Sequence, residues 1–259
     1  MTAPTVDIII PTFHNEYWIR RCIRSIERAQ FPEIGTVYII DNGGDFDNSP
    51  ALYAKKSIPV SVHRQKKNLG WGLGLKEGLK QSRSEYVMFL NDDTEFENKS
   101  DCLSLLMSHF KDPKVAMVGP ATSTAMGLQA QPGPDVERVK LLIGFCVLVR
   151  RSLLKRIGGI DYSYNNGGDD LDLSIRFLKK GYKLLCDRRV FVYHHAYKTG
   201  VRVYGPPGVP NGWNSQEMSL DVYGRLYKKH GRDAVLNTIA LPIDRGGVAL
   251  EDARGLPEE

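Results

Sequence analysis

SEYVMFLNDDTEFE, residues Ser84 to Glu97, is the stretch on which the fold turns. Tyr86 to Leu90 is an unbroken apolar run of strand length, rich in β-formers, and such a run marks a strand buried on both faces. Its C-terminal end changes abruptly to Asn91-Asp92-Asp93-Thr94-Glu95. Carboxylates therefore stand where a central parallel strand leaves its sheet, the place where open α/β folds keep their ligands. Crowded carboxylates repel unless a cation lies among them, and hard oxygen donors suit magnesium or manganese, ions that also hold substrate phosphates. The same four residues are ordinary turn material, so the rest of the chain has to decide.

Working outward, Val6 to Ile10, Thr36 to Ile40 and Val60 to His63 read as three further strands. The first leads through Pro11-Thr12 to a helix opened by Asn15-Glu16, with Trp18, Cys22, Ile23 and Ile26 on one face. The second ends in the polar turn 41–45, and the third is followed by a helix from about Trp71 to Gln81. Strands alternating with helices predict a doubly wound, mostly parallel sheet. The glycines at 70, 72 and 74 invite a dinucleotide-binding reading, but Leu75 or Glu77 occupies the place of the third fingerprint glycine. P-loop, zinc-protease and esterase motifs are absent as well.

Beyond Glu97 the expected order is a helix from Lys99 to Phe110, a strand at Val115 to Val118, and a long polar loop from Thr122 to Glu137. A strand from Leu141 to Val149 and a short helix from Arg150 to Ile157 follow. At residues 165–172 a glycine turn enters a helix whose first turn holds Asp169, Asp170 and Asp172. Acidic residues there are favoured by unpaired N–H groups and the helix dipole, but three exceed what a cap needs, leaving one free to act as a general base. Two short strands, Lys183 to Cys186 and Val190 to Tyr193, lead to His194-His195, where a histidine can serve a metal. Residues 196–214 read as a mobile Gly- and Pro-rich loop, Ser215 to His230 as a helix, and the rest as irregular.

A chain of 259 residues, 42% hydrophobic and 25% charged, can bury a large core. The four cysteines lack metal or redox spacing and read as buried thiols. No apolar run reaches membrane-span length and no signal-peptide pattern opens the chain, which sets the expectation of a cytoplasmic protein without a transmembrane anchor. The net charge of +5 is compatible with an anionic substrate, with nucleic acid, or with solubility alone.

Pro11-Thr12 with Asn15-Glu16, Asp41-Asn42-Gly43, Asn68-Leu69-Gly70, Asn91-Asp92-Asp93, Gly158-Gly159-Ile160-Asp161, Gly168 to Leu173 and His194 occur in the order and context of the inverting family 2 glycosyltransferases. The resemblance covers roughly residues 5–200. It implies a GT-A fold: a Rossmann-like mixed α/β sheet, mostly parallel and flanked by helices, over 1–213, with a C-terminal helical appendage over 214–259. It implies a metal-dependent, inverting transfer from a nucleoside-diphosphate sugar, UDP-sugar favoured, to an acceptor hydroxyl, with Mn2+ or Mg2+ as cofactor.

Residue by residue, the resemblance places Pro11, Thr12, Glu16, Asp41, Asn68 and Asp92 around the nucleotide, Asp93 and His194 on the metal, and Asp170 as general base. Asp169 stands where Glu is commoner. Asn91 replaces the first Asp of the usual Asp-x-Asp, which lowers the charge around the metal. Lys198 to Gly212 is expected to be mobile without donor and to close over it. A saccharide is the default acceptor, and Arg64 to Lys67 together with Arg225, Lys228, Lys229 and Arg232 leaves nucleic acid open as a second class. A nucleotidyltransferase, or a binding protein without turnover, are the competing readings.

Overall fold

The computed structural model describes residues 5–43, 58–124, 127–130, 132–164, 167–206 and 216–239. Strand β1 (Val6–Thr12) is buried along its whole length. It pairs in parallel with β2 (Ile34–Asp41) and with β4 (Tyr86–Leu90), and β2 pairs in parallel with β3 (Val60–Arg64). Because successive side chains alternate across a strand, Ile8 and Ile10 enter one core cluster and Ile9 enters the other, on the opposite face of the sheet.

Helix α1 (Glu16–Ala29) buries Ile19, Cys22, Ile23 and Ile26, an apolar stripe at helical spacing. Helix α2 (Gly70–Gln81) packs tightly on β1 through its glycines. A Cβ on Gly74 would come 2.9 Å from Pro11, and one on Gly78 only 2.3 Å from Ile9. These two glycines serve helix–strand packing.

The second half departs from a plain repeat. It comprises β5 (Thr94–Phe96), α3 (Cys102–Ser108), β6 (Val115–Thr122), β7 (Val136–Val139), β8 (Cys146–Arg150), α4 (Arg151–Arg156), α5 (Asp169–Lys179) and β9 (Lys183–His194), then α6 (Lys198–Tyr204), α7 (Gln216–His230) and α8 (Arg232–Ile239). The sheet order is β3-β2-β1-β4-β8-β6-β9-β5, with β7 also on β9. The sheet is mixed: β8 runs antiparallel to both β4 and β6, while β6 and β9 are parallel.

This order forces a bend. In a flat sheet β4 and β5 would lie four strand spacings, about 19 Å, apart, whereas the chain from Leu90 to Thr94 reaches only about 14 Å. Strand β9 makes the turn. Its register against β6 jumps from Pro120↔Asp187 to Ala121↔Phe191, so three extra residues sit on β9, and its last residues swing round to pair with β5. Asp187 holds the bulge: it is fully buried, takes both Nε and Nη2 of Arg189 at 2.8 and 2.7 Å, and lies 2.8 Å from His109 Nε2.

Several expectations are corrected here. The apolar run at 141–149 is a strand only from Cys146, because the chain at Ile143-Gly144-Phe145 turns aside to line a cavity. The two strands expected over 183–193 are one bulged strand. The end of the expected loop, from Val136, belongs to strand β7 and pairs with β9. Lys198 to Tyr204 is a helix despite its glycine, since that segment carries no proline before 206; residues 207–214 of the expected loop lie outside the described residues. Arg232–Ile239, expected to be irregular, is helical and buries Val235 and Leu236, while residues 240–259 lie outside the described residues. Val235, Leu226 and Tyr227 pack with Leu171 and Ile175 of α5 in a third cluster, which fastens the C-terminal helices to the Asp-rich helix. No helix among the described residues is long and apolar enough to cross a membrane.

Candidate active site

A cavity of about 650 Å³ opens beyond the C-terminal ends of β1 and β4. Its wall brings together Pro11, Thr12, Asn68, Asp92, Asp93, Asp170 and His194, residues scattered over most of the sequence. Two predicted residues stand outside this lining. Glu16 pairs with Arg20 one helical turn along α1, with Arg20 Nε donating to Glu16 Oε1 at 2.9 Å. Asp41 is fully buried at the end of β2 and accepts from Arg64 Nε at 3.2 Å, while its neighbour Asn42 lines the cavity instead.

One corner is built by the short pairing of β5 with the end of β9. Thr94 faces His194 across that antiparallel ladder, so Asp93 and His194 meet at the cavity wall. His194 Nε2 lies 3.3 Å from Asp93 Oδ1 and 3.3 Å from Asn91 Nδ2. Its ring stacks on Phe145, 16° from parallel and 5.1 Å between centroids, and Nδ1 is buried without a partner among the described residues. Asp92 accepts from Thr12 Oγ1 at 2.6 Å. Burial, and then the charge of Asp93 beside it, push Asp92 up to about 7 against the pull of the Thr12 and Asn15 hydrogen bonds.

Among the described residues no three His, Cys, Asp or Glu side chains lie close enough to enclose an ion. A nearly buried carboxylate beside an imidazole nitrogen nevertheless fits a divalent ion held from one side, with its remaining positions turned to the cavity for substrate oxygens. Asp93 and His194 are the residues that could hold it.

The other acidic corner is the first turn of α5. Asp170 Oδ2 accepts from Gly144 N at 3.2 Å and Oδ1 from Leu171 N at 2.8 Å, so two backbone N–H groups hold its carboxylate in place. Gly144 fits closely here: a Cβ would stand 3.2 Å from the Trp71 ring, a tight contact, and 3.5 Å from the Asp170 Cβ. Burial pushes Asp169 up to about 8, helped by the charge of Asp170, and burial also raises Asp170, opposed by its two N–H donors. Asp172, the third acid, is structural. It is fully buried and joined to Arg176, Lys229 and His230 at 2.6 to 2.7 Å, tying α5 to the end of α7.

Between the corners run α6 and the segment before it. Ala196 and Tyr197 both have positive φ, 48° and 63°, a turn that brings Lys198 5.1 Å above the Trp18 ring and Thr199 within 3.2 Å of Asn15 Nδ2. At the opposite end, Asn42 Nδ2 donates to Gly70 O at 3.0 Å while its buried Oδ1 has no partner among the described residues.

Sequence reasoning missed Trp71, Asn42, Gly144 and Tyr164 among the lining residues. A signal existed for Gly144, since a lone glycine within an apolar run marks a bulge or a close approach. For Trp71 there was none, because an aromatic residue opening an amphipathic helix looks like core.

The sequence model of glycosyl transferase family 2 matches residues 7–133. A protein of Mycobacterium tuberculosis described only as uncharacterised is 28% identical, with 92% of this chain aligned to 91% of that one. The pre-mycofactocin glycosyltransferase of the same species is 24% identical, over 73% of this chain and 42% of its own. Among solved structures, GalNAc-T7 with UDP, GalNAc and Mn2+ superposes with a TM-score of 0.70 at 15% identity, over 96% of this chain and 56% of its own. The mannosyltransferase PcManGT of Pyrobaculum calidifontis, in complex with GDP-Man and Mn2+, gives 0.62 at 16% identity, over 97% and 78%. At such identities the likeness speaks for the fold.

Proposed function

Because the chain belongs to the family 2 glycosyltransferases and has their GT-A fold, we propose that it moves a sugar, with inversion, from a nucleoside-diphosphate sugar to an acceptor hydroxyl. UDP-sugar is the favoured donor and Mn2+ or Mg2+ the cofactor; GalNAc-T7 was solved with UDP, GalNAc and Mn2+, and PcManGT with GDP-Man and Mn2+. The observation that carries this reading is the placement of two acidic corners on one cavity, Asp93 with His194 and Asp169 with Asp170.

Each corner has its task. Asn42, Asn68, Pro11 and Thr12 would receive the nucleoside, and the Asn42 Oδ1, unpartnered among the described residues, suits an N–H donor of a base or a ribose hydroxyl. Asp93 and His194 would hold the divalent ion, which when bound offsets the charge on the diphosphate leaving group. Asp170, fixed by two backbone N–H groups, would take the proton from the attacking hydroxyl, while Asp169 keeps its own proton and leaves the negative charge on Asp170. Oxygen attack from the Asp170 side, opposite the departing diphosphate, is an in-line displacement and inverts the anomeric centre.

A saccharide acceptor is favoured over a nucleic acid. Of the cations on the terminal helix, Lys229 is committed to Asp161 and Asp172 at 2.6 Å and Arg225 to Asp221 at 3.0 Å, so neither offers its charge to a phosphate backbone. The chain is proposed to divide into a catalytic unit over 1–213 and an appendage over 214–259.

The test is a panel of UDP- and GDP-sugars with saccharide acceptors, reading nucleoside diphosphate released with Mn2+, with Mg2+ and with chelator. Release that needs both acceptor and metal, and that Asp93→Ala abolishes along with UDP and Mn2+ binding by calorimetry, supports the proposal. Donor binding indifferent to metal and unchanged by Asp93→Ala sinks it.

A further inference from the structure

The metal corner contains a hydrogen-bond chain that begins outside it. An indole N–H can only donate. Trp71 Nε1 donates to Asn91 Oδ1 at 2.9 Å, and that bond decides which end of the Asn91 amide faces His194: it is Nδ2, 3.3 Å from His194 Nε2. An NH2 group bonds to an imidazole nitrogen only where that nitrogen carries a lone pair, so Nε2 is bare and the ring proton lies on Nδ1. The same bare Nε2 is 3.3 Å from Asp93 Oδ1. Two electron-pair donors then face one another with no proton between them, an arrangement a cation satisfies.

We infer that Trp71 is a positioning residue which, through Asn91, holds His194 in the Nδ1–H tautomer and so presents Nε2 as a metal donor. The inference rests on the metal reading proposed above. The opposite tautomer has a clear competitor's claim, since Nε2–H could donate to Asp93 and Nδ1 has no acceptor to reward its proton. It would, however, set Nε2–H against the Asn91 NH2, and turning the amide over would set that NH2 against the Trp71 N–H. The indole blocks both escapes. Stacking on Phe145 fixes the plane of the imidazole, and Ser123 Oγ and Thr124 Oγ1, bonded to the His194 backbone at 3.2 and 2.7 Å, fix its root.

Asn91 thereby acquires a purpose. An aspartate in its place has no N–H to offer Nε2 and would instead draw a proton onto it. The neutral amide reduces the charge of the corner but keeps the histidine nitrogen open, and ligand orientation by such outer partners commonly governs metal affinity by 10- to 100-fold.

The test uses the full chain labelled with 15N and freed of metal. Long-range 1H–15N spectra report the His194 tautomer, its signals assigned by their loss in His194→Ala. Wild type should show Nδ1–H, and Trp71→Phe, which keeps an aromatic ring but removes the donor, should shift the population toward Nε2–H. Mn2+ alone, titrated by electron paramagnetic resonance, should bind Trp71→Phe about 10-fold more weakly or worse. Asn91→Asp serves as a second variant should Trp71→Phe fold poorly, and it too should move the proton to Nε2. Wild-type Nε2–H with Mn2+ binding intact overturns the relay alone. Wild-type Nδ1–H with no Mn2+ binding overturns the metal reading alone. Variants that match wild type in both tautomer and Mn2+ affinity overturn the inference.

Discussion

Asp169 and Asp170 are adjacent in sequence and share the first turn of one helix, yet their surroundings differ. Asp170 receives N–H groups from Gly144 and Leu171, which favour its charged form, whereas Asp169 is pushed up to about 8 by burial and by the charge of its neighbour. Asp170→Asn should therefore lower kcat by about 10²- to 10⁴-fold, the usual worth of a general base, with UDP and metal binding unchanged by calorimetry. Near-normal kcat would remove Asp170 from its role. For Asp169→Asn the expected outcome is milder, because the amide mimics the protonated form that burial and the charge of Asp170 favour. The sign of its stability effect follows from a folded pKa above the ordinary carboxyl value. The folded state alone keeps the proton between about pH 4 and pH 8, so the contribution of Asp169 is full below that window and declines as pH rises through it. The melting temperature of wild type relative to Asp169→Asn should fall across that range, and parallel curves would show that Asp169 titrates normally.

At the scale of elements, what the sequence disclosed and what it hid have physical reasons. Strands β1, β2 and β4 were legible because burial on both faces demands a continuous apolar run. Helices α1 and α2 were legible because one buried face writes a helical period into the sequence. The strand ends carrying Asp92, Asp93 and His194 were legible for the same reason, as polarity changes abruptly there. The Ile143–Phe145 turn was not, since its residues are as apolar as the strand that follows and only Gly144 differs. Helix α8 was missed because its buried face is only Val235, Leu236 and Thr238, too short to show a period. The glycine before α5 tests the packing directly. Gly168 has φ +87°, and a Cβ there would lie 2.6 Å from Val222 of α7 and 3.3 Å from Tyr164. Gly168→Ala should destabilise the protein by about 1–3 kcal/mol through backbone strain and should also lower kcat, since relief of the clash displaces the turn that carries Asp170. A variant with unchanged melting temperature and activity would show that α7 does not hold α5 in place.

For the whole molecule, the cavity draws its wall from β1, the turn after β4, α2, α5, α6 and the end of β9, so a ligand filling it links parts drawn from most of the chain. Binding to the folded state alone stabilises it by about 2.7 kcal/mol at a hundred times Kd. UDP with Mn2+ at that excess should accordingly raise the melting temperature by roughly 5–10 °C in differential scanning, and chelator should cancel the gain. No shift with either UDP or GDP and metal would leave the cavity without its nucleotide. The bend of β9 sets the order of events in time as well. Asn91 and His194 stand 103 residues apart, and closing a loop of that length costs about 4 kcal/mol of chain entropy before any contact within it forms. The β1–β2 and β2–β3 pairings, Val6 with Ile34 and Val37 with Val60, close much shorter loops and can nucleate early, whereas the corner of Asp93 and His194 completes only after β9 has turned at its bulge and reached β5. A ligand that recognises this late-formed corner meets nothing to bind in the folding transition state. In stopped-flow experiments, UDP with Mn2+ should therefore slow unfolding and leave the refolding rate unchanged: the donor lengthens the lifetime of the finished enzyme without helping to make it.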